Sequence, residues 1–229
     1  MRYSEYAVTT SHPRHAGRPS VRVERGAPEP GSALAEEKED VVTYTVGYFI
    51  GSLSSESINR TLSKALISVA PSDLEFHEIG IDDLPLYNRD LDSSFPPEAT
   101  ALKRAIADSQ AILFVTPEYN RSIPGALANA IDWASRPYGE NSFDHVPVGV
   151  IGASPGGIGT AVAQQSLRSI LSYCNARQMT APEAYIQYDP DAYGEDGEVR
   201  DEELKGILTD FMQEFRDHIA RVLTVLPRD

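Results

Sequence analysis

The sequence has few basic residues: Lys and Arg number 20 against 34 Asp and Glu, a formal net charge of −14. So acidic a chain repels both a nucleic-acid backbone and an anionic membrane surface. Any phosphorylated ligand must therefore be held by local donors working against the global field. Cysteine is nearly absent. Cys174 stands alone, so an internal disulfide is impossible, no metal cluster can be assembled around it, and it reads as a small core residue. No apolar run approaches the ~20 residues of a membrane-spanning helix, and the N-terminus lacks the apolar core of a secretory signal. The expectation is a cytoplasmic protein without nucleic-acid or membrane partners. Also missing are the Lys of an NTPase phosphate loop and the G-x-G-x-x-G spacing of a dinucleotide fold, which argues against an NTPase and a Rossmann dehydrogenase.

With 41% hydrophobic residues over 229 positions the chain can bury one sizeable core. Residues 1–40 differ from the rest. Arg2, Arg14, Arg18, Arg22 and Arg25 alternate with Ser, His, Pro and Gly, and the acidic run Glu36, Glu37, Glu39 and Asp40 closes the stretch. Large apolar residues are scarce and unphased there, so a mostly disordered extension is expected, followed by one domain over 41–229. An Arg-rich start also resembles an organellar transit peptide, but Glu5 and the lack of an amphipathic period speak against that.

From residue 41 strands and helices alternate, the pattern of a parallel sheet covered on both faces. The spacing predicts strands over 41–50, 74–79, 111–116, 148–151 and within 179–187. Helices are predicted over 57–70, 97–108, after Gly125, after Gly159 and over 201–223. Inward series are Ile58, Leu62, Leu66 and Val69; Leu127, Ile131 and Ala134; Val162, Leu167, Ile170 and Leu171; and Leu204 through Val222. His77 reads as a solvent-facing strand residue and Trp133 as core. The fold class is α/β, a three-layer arrangement around five parallel strands. In the order 2-1-3-4-5, strands one, three and four are neighbours, and loops 51–59, 117–125 and 152–159 meet at their carboxyl ends, where such sheets bind ligands.

Each loop suits a part of one ligand. In the first, hydroxyl residues Ser52, Ser54 and Ser57, with Asn59, surround the first exposed N–H groups of a helix, an arrangement that favours phosphate. Ser57 could equally serve as a plain helix cap. In the second, Pro117 and Pro124 fix backbone N–H groups beside Tyr119, suited to the edge and face of a planar heterocycle. In the third, Gly156, Gly157 and Gly159 allow backbone to approach a flat ligand.

Several motifs together carry a resemblance. They are Gly51-Ser52-Leu53 with Ser57-Ile58-Asn59-Arg60, Leu84-Pro85-Leu86-Tyr87-Asn88, Thr116-Pro117-Glu118-Tyr119-Asn120 with Ser122-Ile123-Pro124-Gly125, Asn129-Ala130-Ile131-Asp132-Trp133, and Gly152-Ala153-Ser154-Pro155-Gly156-Gly157. In these the chain resembles the flavodoxin-like NAD(P)H-dependent FMN reductases, a group that includes quinone and chromate reductases and is related to azoreductases. The resemblance implies noncovalent FMN, NADPH or NADH as electron donor, a small-molecule acceptor, and a homodimer or homotetramer. It implies that Ser52, Ser54, Ser57, Ile58 and Asn59 hold the FMN phosphate. Pro117, Glu118, Tyr119 and Asn120 would meet the ring and ribityl chain, and Ser154, Pro155, Gly156 and Gly157 would line the opposite edge. No side chain is implied as catalytic acid or base and no metal is implied. Because the whole chain is acidic, Arg121, and secondarily Arg136, are expected to help the nucleotide phosphates approach. Many members carry Arg directly after Gly-Ser-Leu, where this chain has Ser54, so phosphate binding must lean on the helix terminus, the hydroxyls and Asn59. Two alternatives share the flavin: a flavodoxin-type electron carrier, and a flavin-binding sensor or scaffold without turnover.

Overall fold

Five lanes of parallel strand form the middle layer of the computed structural model, which describes residues 42–228. The expectation for the first forty residues lies outside them. The elements are β1 (Tyr44–Ile50), α1 (Ile58–Val69), β2 (Leu74–Glu78), α2 (Pro97–Ala107), β3 (Ala111–Val115), α3 (Gly125–Ala134), β4 (Pro147–Ser154), α4 (Ala161–Tyr173), β5 (Arg177–Gln178), β6 (Tyr185–Gln187) and α5 (Glu202–Val225). The order is β2-β1-β3-β4, with β5 and β6 both beside β4. This is the flavodoxin-like order 2-1-3-4-5 expected from the sequence.

The fifth lane departs from expectation by being split. Arg177 and Gln178 pair with Pro147 and Val148 at the start of β4, and Tyr185 to Gln187 pair with Gly152 to Ser154 at its end. Between them the chain leaves the ladder around Pro182, which has no N–H to donate. The fourth strand is correspondingly longer than predicted, running through Gly152 to Ser154.

Strand residues alternate between two cores. Phe49, Ile112, Phe114, Val148 and Val150 face α2, α3 and α4, where they meet Leu102, Ile106, Leu127, Ile131, Trp133, Leu167 and Leu171. Val46, Leu113, Val115 and Ile151 face α1 and α5, against Leu62, Leu66, Leu208, Phe211, Phe215 and Ile219. Cys174 is buried as expected. Each such side chain contributes roughly 1.5–3 kcal/mol by burial, so the two layers fix where the strand ends fall. Asp201 caps α5 by accepting from the Leu204 N–H at 2.7 Å, and Arg216 Nε joins that helix to Asp73 at 2.7 Å. Two expected orientations are corrected. Val162 lies in the first turn of α4, 37% exposed, rather than in the core, and His77 is half-buried with its ring nitrogen 3.0 Å from Ser109 Oγ. Among the described residues no helix is long and apolar enough to cross a membrane.

Candidate functional site

At the carboxyl ends of β1, β3 and β4 the three loops enclose a cleft of about 190 Å³. Ser52, Ser54, Ser57, Ile58, Asn59, Pro117, Glu118, Tyr119, Ser154 and Pro155, all expected from the sequence, line it. Asn120, Arg121, Gly156 and Gly157 do not. Glu56 and Ala153 also line it and were missed, Glu56 because an acid is not expected beside phosphate and Ala153 because it acts through its backbone.

The first loop is a series of small turns closed by its own hydroxyls. The Ser54 N–H donates to Ser52 Oγ at 3.3 Å and the Glu56 N–H to Ser54 Oγ at 3.3 Å. Ser52 Oγ also lies 3.4 Å from the Tyr119 hydroxyl, joining the first loop to the second. Ser57 holds the N-cap position of α1 with extended backbone, yet its side chain caps nothing. Its Oγ is buried without a hydrogen-bond partner. The N–H groups of Ile58 and Asn59, in the first turn, likewise have no carbonyl partner. An orphaned buried hydroxyl normally costs about 1–3 kcal/mol; together with two free N–H groups at the positive end of a helix it fits a phosphate monoester.

Asn59 does something else. Fully buried, its Nδ2 donates to the Ala153 carbonyl at 3.0 Å and its Oδ1 accepts from the Ala153 N–H at 2.9 Å. The side chain expected to face a phosphate instead clamps α1 to the end of β4, leaving the backbone N–H of Asn59 for a ligand.

The second loop is a tight hairpin. Tyr119 and Ser122 exchange two backbone hydrogen bonds of 3.0 Å, and the turn residues Asn120 and Arg121 have φ of 53° and 61°, the mirror-image turn that suits two-residue hairpins. This geometry carries both tip side chains off the cleft wall, where Arg121 pairs with Glu118 at 3.3 Å. Glu118 in turn accepts from the N–H groups of Val162 and Ala163 through Oε2, each at 3.0 Å. Arg136 is not at the cleft; its guanidinium bonds the Ser135 hydroxyl at 3.0 Å and lies over the Tyr87 ring.

The remaining motif stretches brace the structure from below. Trp133 Nε1 donates to the Pro85 carbonyl at 2.7 Å, Asn129 Nδ2 donates to the same oxygen at 3.0 Å, and Asn129 Oδ1 accepts from the Tyr87 N–H at 2.8 Å. In the third loop, Gly159 adopts φ of 57° with its Cα so close to β6 that an added Cβ would lie 2.7 Å from the Tyr185 carbonyl carbon.

Comparison with known proteins gives the family. The family model for NADPH-dependent FMN reductase matches residues 44–191. A 2-hydroxy-1,4-benzoquinone reductase of Burkholderia sp is 45% identical over 170 residues, covering 74% of this chain and 93% of its own. A quinone reductase of Pseudomonas putida is 42% identical over 178 residues, covering 77% and 93%. The solved structure of FerB, a flavoenzyme NAD(P)H:(acceptor) oxidoreductase from Paracoccus denitrificans, is 47% identical with a TM-score of 0.76, covering 78% of this chain and 98% of that one. Fold and relatives converge: the chain belongs to the NADPH-dependent FMN reductase family and is an FMN- and NAD(P)H-dependent oxidoreductase of quinone-reductase type.

Proposed function

We propose that the cleft holds the phosphate end of FMN and that the protein reduces small quinones with NAD(P)H as donor. The observation that carries the cofactor placement is the buried Ser57 hydroxyl with no partner beside two free helix N–H groups. Bound FMN supplies the hydride-accepting and electron-donating chemistry. The chain's own part is to hold and orient. Ser52 and Ser57 hydroxyls with the Ile58 and Asn59 N–H groups receive the dianion, Pro117 and Tyr119 form one wall, and Ser154 and Pro155 form the other. No side chain at the cleft is needed as an acid or base. Leu53, Tyr119 and Ile158, large apolar residues exposed on the three loops, suit cover by a second copy in a homodimer or homotetramer. A cytoplasmic location remains part of this reading.

Ser57→Ala tests the cradle, because it removes a ligand donor that is a liability in the empty protein. FMN affinity is expected to fall about tenfold, equivalent to ~1.4 kcal/mol, while the flavin-free protein melts at the same temperature or slightly higher. Fluorescence titration and thermal melts read both. Unchanged affinity would place the phosphate elsewhere.

Among acceptors the charge balance favours neutral quinones over oxyanions such as chromate. With a net charge of −14, encounter with an anionic acceptor is slowed and the penalty is screened by salt. For chromate, kcat/KM should rise severalfold between low and physiological ionic strength, while that for a neutral benzoquinone stays flat. Parallel salt dependence for both would defeat the preference. Anionic azo dyes and free flavin phosphate fall in the disfavoured class on the same ground.

A further inference from the structure

Glu118 sits on the cleft-forming hairpin, yet its carboxylate is committed elsewhere. Helix α4 starts without a local cap: Thr160, at the N-cap position, makes no capping bond, and its hydroxyl accepts from Gln164 Nε2 at 3.0 Å. The orphan N–H groups of Val162 and Ala163 are satisfied by Glu118 Oε2, both at 3.0 Å, from a residue 44 and 45 positions earlier in the chain. The other oxygen, Oε1, takes the Arg121 guanidinium at 3.3 Å. The side chain is only 9% exposed, so its acceptor capacity is directed into protein.

We propose that Glu118 is a positioning residue. By capping α4 from the hairpin it sets the separation between the two walls of the cleft, and it does not itself bind the flavin. One wall is Pro117 and Tyr119, on either side of Glu118 in sequence. The opposite wall is Ser154 and Pro155, which a short glycine turn joins to the start of α4. A carboxylate at a helix N-terminus makes charge-assisted hydrogen bonds, which are short and strong. Arg121 is held on the other oxygen, Oε1, away from the cleft wall. The proposal rests on the cleft being the FMN site, but the cap itself can be tested without flavin.

Two substitutions in the full chain separate reach from charge. E118Q keeps the length and one carbonyl oxygen able to accept both N–H groups; E118D keeps the charge and is one methylene shorter. In flavin-free protein, hydrogen exchange at the Val162 and Ala163 amides should accelerate at least tenfold in E118D and stay within threefold of the original in E118Q. The FMN dissociation constant should follow the same order, at least tenfold weaker for E118D and within threefold for E118Q. Slow exchange in E118D would overturn the cap. Fast exchange with undiminished FMN affinity would overturn the positioning role. E118Q losing FMN as severely as E118D with its amides still protected would make Glu118 a direct, charge-requiring ligand and overturn the proposal. Failure of the unsubstituted protein to bind FMN would instead overturn the assignment of the cleft, and with it the positioning role, whatever the exchange pattern.

Discussion

Gly152→Ala is expected to unseat the end of β4, lower the melting temperature by about 6–12 °C and strip the protein of bound FMN. A Cβ at this position would lie 1.9 Å from the Thr116 carbonyl oxygen, 3.0 Å from the Thr116 carbonyl carbon and 2.6 Å from Thr160 Oγ1. None of these can step aside. Thr116 is fully buried and its N–H is bonded to the Ile151 carbonyl at 3.0 Å, while Thr160 is fully buried and bonded to Gln164. Relief therefore requires β3 and β4 to separate at the point where both cleft walls begin. Ordinary overpacking of a core costs about 1–3 kcal/mol. A clash with backbone should cost about 3 kcal/mol or more, which at ~2–4 °C per kcal/mol for a domain of this size gives the stated shift. Gly156→Ala is the control. The nearest atom to its added Cβ is Ser154 Oγ at 3.5 Å, so its melting temperature should stay within about 2 °C of the original. Calorimetry of both variants decides the point; an unmoved transition in Gly152→Ala would mean that the strand ends are not packed this closely.

Asn59→Ala should have the second largest effect, and of a different kind from Ser57→Ala. The substitution leaves the Ala153 N–H and carbonyl without partners in a fully buried place. Each stranded group costs about 1–3 kcal/mol. The expected loss is about 3 kcal/mol of folding stability, read by urea denaturation, with FMN affinity down by about a hundredfold because α1 and the third loop are no longer joined. Combined with Ser57→Ala, flavin retention through gel filtration should vanish. Equal stability of the Asn59→Ala protein would show that the clamp is not needed to hold β4 against α1.

What could be read from the sequence was whatever has a local cause. The alternation of β-rich and amphipathic segments led directly to a three-layer parallel α/β sheet, and the flavodoxin-like order 2-1-3-4-5 then placed the three loops together. Hydroxyls before Ile58 marked a helix terminus with donors to spare, and Phe211, Phe215 and Ile219 marked the buried face of α5. What was not legible has a non-local cause. Asn59 and Glu118 line the cleft as expected, but the groups their side chains hold, Ala153 and the first turn of α4, lie far along the chain and leave no mark beside them. Gly152 resembled a strand terminator because glycine ends strands more often than it permits a carbonyl to pass close by. Val162 fits a helical apolar series, but the first turn of α4 carries it to the surface, outside the core. Arg136 was grouped with Arg121 by charge alone, and only the packing of its guanidinium against Tyr87 and Ser135 separates them.

The clamp between Asn59 and Ala153 also sets a timetable. The two residues are 94 positions apart, and a ribosome adding roughly 5–20 residues per second needs about 5–20 s to travel between them. For that interval the serines and α1 exist without the strand that locks them, and closing so long a loop belongs late in folding, when non-local contacts repay its entropy. FMN is then a reader of finished molecules rather than a template: added during refolding, it should raise the final stability by mass action and leave the rate of the main refolding phase unchanged, so that in a cell short of flavin the same chain would fold on schedule and wait.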